Sequence, residues 1–309
     1  MPCFRTLLAL LMAVTIWPPA DLTASSAIAG SHTSDQFQNY WYSNGAEISR
    51  FALQQARYDE LHDGDAVLIF VTERMNPKLQ VKSDHPDPDD IPVLKLNSVR
   101  KFFTGIYPYS TLTSTFSPVD AQTYPLPLKI SSTIQEWCGN VYLQMNLREE
   151  HWQVQSHSYF EREADQTFSL ADLMPEDALW TTIRIAPASL PQGDFATIPG
   201  ALHTRFLHRP LRAIRAVGKL SAAEGKSLEG NALVCYTVRY PEDDRTLKIF
   251  FERDFPYRIQ RWEDTQRGLN NASLTTTAVR THTILNAYWN HHSNRDRKLL
   301  PQLGLKDRQ

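Results

Sequence analysis

Leu247, Ile249 and Phe251 alternate with Lys248 and Glu252. That period of two marks a half-buried antiparallel strand, because successive side chains of a strand point to opposite faces. Residues 257–263 repeat the style beyond Arg253-Asp254-Phe255-Pro256, so the two runs are predicted to form a hairpin. Two more hairpins follow from the same patterning. One joins Glu47 to Tyr58 with Ala66 to Glu73 around Leu61-His62-Asp63-Gly64, where Gly64 is expected to supply a positive φ. The other joins Val141 to Leu147 with Trp152 to Phe160 around Arg148-Glu149-Glu150-His151. Residues 47–58 also carry a helical stripe (Ile48, Phe51, Ala52, Ala56), so a strand is preferred there and a helix competes.

Between Val93 and Met145, β-branched and aromatic runs are broken at Tyr107-Pro108-Tyr109, Ser117-Pro118-Val119-Asp120 and Tyr124-Pro125-Leu126-Pro127. Short strands with frequent turns are predicted. Ser273 to Ile284 adds another strand-like run. Asp84 to Asp90 reads as a proline-broken loop, Ala213 to Gly230 as a loop or weak linker, and Ser293 as the cap of a short helix towards Leu300. No stretch alternates strands with long helices, which disfavours a doubly wound parallel sheet. The predicted fold is mainly β: a large antiparallel sheet, as a sandwich or an open half-barrel, with short helices.

The first thirty residues follow a different logic. Arg5 precedes the uncharged stretch Leu7 to Trp17, and Ala27-Ile28-Ala29 offers small residues at both subsites of a signal peptidase. The apolar stretch is too short for a stable membrane span. Residues 1–29 are therefore predicted to be a signal peptide, and 30–309 a single β-rich domain without a transmembrane helix, exported to the periplasm or cell envelope. Loss of Arg5 and Asp21 leaves the formal net charge at −2. Nucleic acid is excluded as a partner on that balance, since the basic cluster Arg295-Asp296-Arg297-Lys298 contains an acid. Cys3 leaves with the leader. Cys138 and Cys235 remain as a possible disulfide in an oxidising compartment, or as buried free thiols.

Chemistry is sparse. The chain has no Gly-x-Ser-x-Gly elbow and no glycine-rich phosphate loop. Cys138 with His151 or His157 could be a thiolate and its base; Glu161, Glu163 and Asp165 would share one face if the strand from Trp152 continued. His291-His292 reads as a solvated pair, and the cysteines lack zinc spacing. No catalytic residue, metal site or cofactor is expected. The remaining signal is aromatic: Phe102, Phe103, Tyr107, Tyr109, Phe116, Trp137, Trp152 and Trp262 lie in predicted strands or turns. They fill a core, or they line an apolar cavity with tyrosine hydroxyls at its mouth. On the second reading Tyr107, Tyr109, Trp137 and Trp152 are the candidate ligand-binding residues.

The segments Tyr40-Trp41-Tyr42, Gln55-Ala56-Arg57-Tyr58, Val67 to Glu73, Thr104 to Ser110, Gln135 to Gly139 and His157 to Glu161 resemble those of a family of uncharacterised exported bacterial proteins. The resemblance runs from about Tyr40 to Tyr288-Trp289-Asn290. Members often carry the label septum formation inhibitor Maf. Maf proteins are cytoplasmic α/β nucleotide pyrophosphatases with a Ser-x-Ser-Pro-Arg-Arg motif, which this chain lacks. The resemblance therefore implies an exported protein of unknown activity and transfers no catalytic residue. Two functions stand after the sequence: binding of an apolar ligand, lipid or envelope protein, and as the alternative a hydrolase, including the Maf-type pyrophosphatase of the label.

Overall fold

A computed structural model describes residues 34–305 except Leu269 and Asn271; the predicted signal peptide lies outside the described residues. Among the described residues, fifteen strands build one open sheet. They are β1 (Ala46–Arg57), β2 (Glu60–Asn76), β3 (Val81–Lys82), β4 (Ile91–Thr104), β5 (Tyr107–Pro118), β6 (Lys129–Glu136), β7 (Gly139–Arg148), β8 (His151–Ser158), β9 (Gln166–Ala171), β10 (Gly193–Thr197), β11 (Ile214–Lys226), β12 (Ala232–Tyr240), β13 (Arg245–Glu252), β14 (Ile259–Arg267) and β15 (Ser273–Asn286). The order is β10-β11-β12-β13-β14-β15-β1-β2-β4-β5-β6-β7-β8-β9, with β3 paired to β2. Every neighbouring pair is antiparallel, and the two meanders join where β15 pairs with β1. This is the predicted mainly antiparallel sheet, and the strand assignment of residues 47–58 holds over the helix.

The period-two pattern explains most strands. Leu247, Ile249 and Phe251 are buried, and the predicted β13–β14 hairpin forms. The β7–β8 hairpin forms too, turning on Glu149-Glu150 with both residues at positive φ. The first hairpin turns earlier than predicted. Tyr58-Asp59, both at positive φ, make a two-residue turn that closes Arg57 against Glu60. Gly64 lies inside β2, where a Cβ would stand 2.3 Å from the Lys101 carbonyl oxygen on β4. Its glycine serves close strand approach, not turn geometry. A second correction concerns residues 213–230: they are no linker but largely β11, whose Ile214, Ala216 and Leu220 point into the core. Ser293 caps a helical stretch as predicted, through a capping box with Asp296, and the turns run on through Pro301 to Leu303.

The sheet rolls until the segments just beyond its two edge strands meet. β9 and β10 are the two edges, and the residues that follow them form a parallel bridge at Pro175 and Ile198. The amide of Glu176 donates to the Ile198 carbonyl at 2.8 Å, and the Thr197 hydroxyl donates to the Met174 carbonyl at 2.6 Å. Edge donors and acceptors that would template aggregation are tied to one another at that point. Inside the roll lie helices α1 (Ser34–Trp41), α2 (Leu179–Ile185) and α3 (Ala201–Phe206). Phe37 and Trp41 of α1, Leu179 and Ile183 of α2 and Phe206 of α3 pack with Phe51, Leu68, Phe70, Tyr236, Ile249 and Trp262 in one core.

That core encloses charge. Arg184 of α2 donates to both Glu47 carboxylate oxygens, at 2.6 and 2.7 Å, with both side chains fully buried. Its guanidinium also lies over Trp41 and Phe70. Burial raises the Glu47 pKa, but Arg184, the Tyr40 hydroxyl and Arg258 outweigh it and hold the carboxyl below its ordinary range. Burial and Glu47 together push Tyr40 up to about 12.

Candidate functional site

Strands β6 to β9 turn one common face inward. Cross-strand register aligns Ile134 with Val141, Leu143 with Ser156, and Val154 with Phe168. In the lower half of this face Ile130, Met145, Trp152, Val154 and Ile198 form a second, closed core. The Trp152 indole donates to the Leu173 carbonyl at 3.0 Å, which anchors it there. In the upper half the sheet separates from α3. The gap is a cleft of about 260 Å³, floored by Ile134, Val141, Leu143 and Phe168 and walled by Ala201, Thr204 and the chain at 208–211.

The rim of the cleft is charged. Arg162, Arg205, His208 and Arg209 surround its mouth with Glu163. Glu163 takes a hydrogen bond from the Ser158 hydroxyl at 2.7 Å and contacts His208 Nδ1 at 2.6 Å, with Arg205 at 3.4 Å. The Arg205 guanidinium sits 4.3 Å above the Phe160 ring, and partial burial lowers its pKa while leaving it a cation. Arg209 pairs with Asp243 at 2.5 Å. Arg162 has no hydrogen bond or ion pair among the described residues, and it is exposed in the lining of the cleft. Apolar side chains and cations therefore line the same cleft.

On its other side α3 borders a smaller, more polar cavity of about 50 Å³, room for a few waters. Arg245 there makes two forked ion pairs: with Glu176 at 2.5 and 2.8 Å, and with Asp264 at 2.7 and 2.8 Å. Burial raises the Glu176 and Asp264 pKa values, and Arg245 more than reverses it, so both carboxyls stay below their usual range. Asp177 is different. Burial pushes it up to about 7 against the Ala201 amide, which donates to its Oδ2 at 2.9 Å at the start of α3. Arg100 donates to Gln55 Oε1 at 3.1 Å, while its buried Nε has no partner. Gly200 permits this packing, since a Cβ would lie 2.6 Å from Glu176 Oε1.

The four predicted ligand residues do not converge. Trp152 is fully buried beneath the cleft floor, as a core residue. Tyr109 is buried in the main core, stacked on Phe102 with ring centroids 4.9 Å apart. Tyr107 and Trp137 stand together outside, with centroids 6.3 Å apart, and Trp137 does not line the cleft. The possible disulfide is not made. Cys138 is exposed in the β6–β7 turn and Cys235 is buried on β12, strands far apart in the order of the sheet. Nor is Cys138 a poised thiolate, because a hydrogen bond with Glu136 and that residue's charge push its pKa up. The carboxylate row also dissolves: β8 ends at Ser158, so Glu163 turns to the cleft while Asp165 contacts His157 at 3.2 Å. His291 and His292 are exposed.

Sequence reasoning missed Arg205, His208 and Arg209. A signal existed. Residues 203–212 hold three arginines and two histidines without one acid, a purer basic segment than 295–298.

No family model and no curated protein matches the chain. Among solved structures it is similar to a β-barrel-like protein of domain of unknown function DUF1849 from Brucella abortus, with a TM-score of 0.47 and 10% identity. The match covers 78% of this chain and 98% of that one.

Proposed function

We propose that this is an exported binding protein that holds an amphipathic ligand, its apolar part on Val141, Leu143 and Phe168 and an anionic head at Arg162 and Arg205. The observation that carries this reading is a cleft of about 260 Å³ whose lining joins Ile134, Val141, Leu143 and Phe168 to Arg162, which has no partner among the described residues, and to the acid-free basic segment 203–212. Burial of such a floor by an acyl chain is favourable at roughly 25 cal/mol per Å², and a cationic lip fixes which end enters. A hydrolytic role would draw on Asp177, yet its cavity has room for water and none for a substrate of any size.

Titration of the mature protein with a fluorescent fatty-acid analogue, displaced by laurate, tests the proposal. Saturable binding is expected, and Leu143→Trp, which fills the cleft, should weaken it about tenfold or more, a loss of about 1.4 kcal/mol. Binding that is absent, or unchanged in Leu143→Trp protein that still unfolds cooperatively, would refute it.

A further inference from the structure

We infer that the ligand of the cleft carries an uncharged polyol group beyond its anionic one, and that a second cavity adjoining the cleft at Arg209-Pro210 receives it. The inference rests on the cleft reading above and extends it by one subsite. The second cavity has a volume of about 320 Å³ and is lined by His203, Arg212, Glu242 and Asp243 with Pro199 and Ile214. Thr204, Arg209 and Pro210 line this cavity and the cleft alike, so the two meet at the cationic lip. An apolar floor, a group of arginines and a polar cavity therefore adjoin in that order.

The second cavity differs in chemistry from the lip. Arg209 pairs with Asp243 at 2.5 Å and Arg212 with Glu242 at 3.1 Å, so two cations meet two carboxylates. A charged head would have to displace one of these partners, whereas an uncharged one would not. His203 stands outside the balance. Its side chain is 6% exposed, and its Nε2 has no hydrogen-bond partner among the described residues, lying 3.9 Å from Asp243 Oδ2. That nitrogen is a donor or an acceptor according to the tautomer, and a hydroxyl satisfies either form because it both gives and takes a hydrogen bond. Neighbouring hydroxyls of the same group would reach carboxylate lone pairs that the two arginines leave unused. Pro199, Pro210 and Ile214 offer apolar surface to the C–H groups between those hydroxyls. The volume lies at the lower end of small-ligand cavities and suits a glycerol unit or one ring of a polyol. An amphiphile built of an acyl chain, a phosphodiester and a polyol head presents its three parts in the order in which the protein does.

Displacement of the fluorescent fatty-acid analogue by single-chain lauroyl phospholipids is the test. Lysophosphatidylglycerol or lysophosphatidylinositol should bind the mature protein about tenfold tighter than lysophosphatidylmethanol, which keeps the chain and the phosphodiester but lacks the head-group hydroxyls. His203→Phe should abolish that gain and leave laurate affinity unchanged. Glu242→Leu, at the exposed rim of the cavity, should shrink the gain without touching a buried residue. Equal binding of the three lipids would overturn the inference and leave the cleft reading standing. So would a comparable gain for lysophosphatidylethanolamine, whose head carries a cation, or a gain that survives both substitutions. Failure of laurate and of every lipid to displace the analogue would instead overturn the cleft reading, and the inference with it.

Discussion

The two sides of α3 make opposite use of the same residue types. Facing β13 and β14, the buried Arg245 spends four donor contacts on Glu176 and Asp264, over the Tyr240 ring. Facing β6 to β9, Arg162 has no hydrogen bond or ion pair among the described residues, and Arg205 contacts His208 Nδ1 at 2.9 Å, Glu163 at 3.4 Å and the Phe160 ring, beside an uncovered apolar floor. The Arg245 side pairs these three charged groups with one another, although Arg100 Nε there has no partner, and it helps hold the roll together, because the Glu176 amide is also part of the bridge that joins the sheet edges. The cleft side leaves apolar area uncovered and the Arg162 charge without a partner among the described residues. The difference teaches what sets the proposed cleft apart from the core around it: interaction left unspent, and not burial.

The sharpest way to break this contrast is to remove one arginine from each side. Arg245→Met leaves two buried carboxylates facing each other, and urea unfolding should show a loss of about 3–5 kcal/mol. Arg209→Met, whose ion pair is half exposed, should cost less than about 0.5 kcal/mol in the same measurement. Equal losses would show that the two sides are not different in kind.

A smaller effect should appear in pH dependence. The Asp177 pKa is raised to about 7, so the folded state binds its proton more tightly than the unfolded chain does. Stability from this group is fully present below the ordinary carboxylate pKa and is lost as pH rises through about 7. Asp177→Asn keeps an oxygen for the Ala201 amide and carries no charge. Between pH 5 and pH 8 the wild type should lose on the order of 2–4 kcal/mol that the variant retains, read from urea midpoints at the two values. Glu47 and Glu176, whose pKa values are lowered, act in the opposite sense and only at more acid pH. Identical slopes for the two proteins would remove Asp177 from the account.

On the open side the expected change is in binding. Arg205→Gln should weaken laurate by about tenfold through loss of a charge-assisted contact, and should leave uncharged dodecanol nearly unaffected. The smallest effect expected is that of salt, which should weaken laurate for the wild type more than for the variant. A variant that loses both ligands equally would place Arg205 in the wall of the cleft and not at its head-group end.

Strand positions were legible because a half-buried strand writes its two faces into alternate residues. Leu247, Ile249 and Phe251 declared themselves, as did the turn-rich breaks around residues 84–90 and 253–256 and the cap at Ser293. Arg100, Thr113 and Thr115 were not legible. They alternate as solvent-facing positions would, yet they line the polar cavity inside the roll. Gly64 was misread for the same reason: whether a glycine relieves a turn or a close strand contact depends on β4, which lies far along the chain.

What the sequence by itself determined is therefore local: where strands run, where they must stop and which ends are polar, since those follow from side-chain period and backbone propensity. Only the tertiary structure decided which inward residues are core, which enclose charge and which are left open. Glu163 with His208 and Arg245 with Glu176 are pairs 45 and 69 residues apart, and β9 meets β10 across the whole width of the sheet. Such contacts are set by how fifteen strands roll, and no pattern within any one strand encodes that closure.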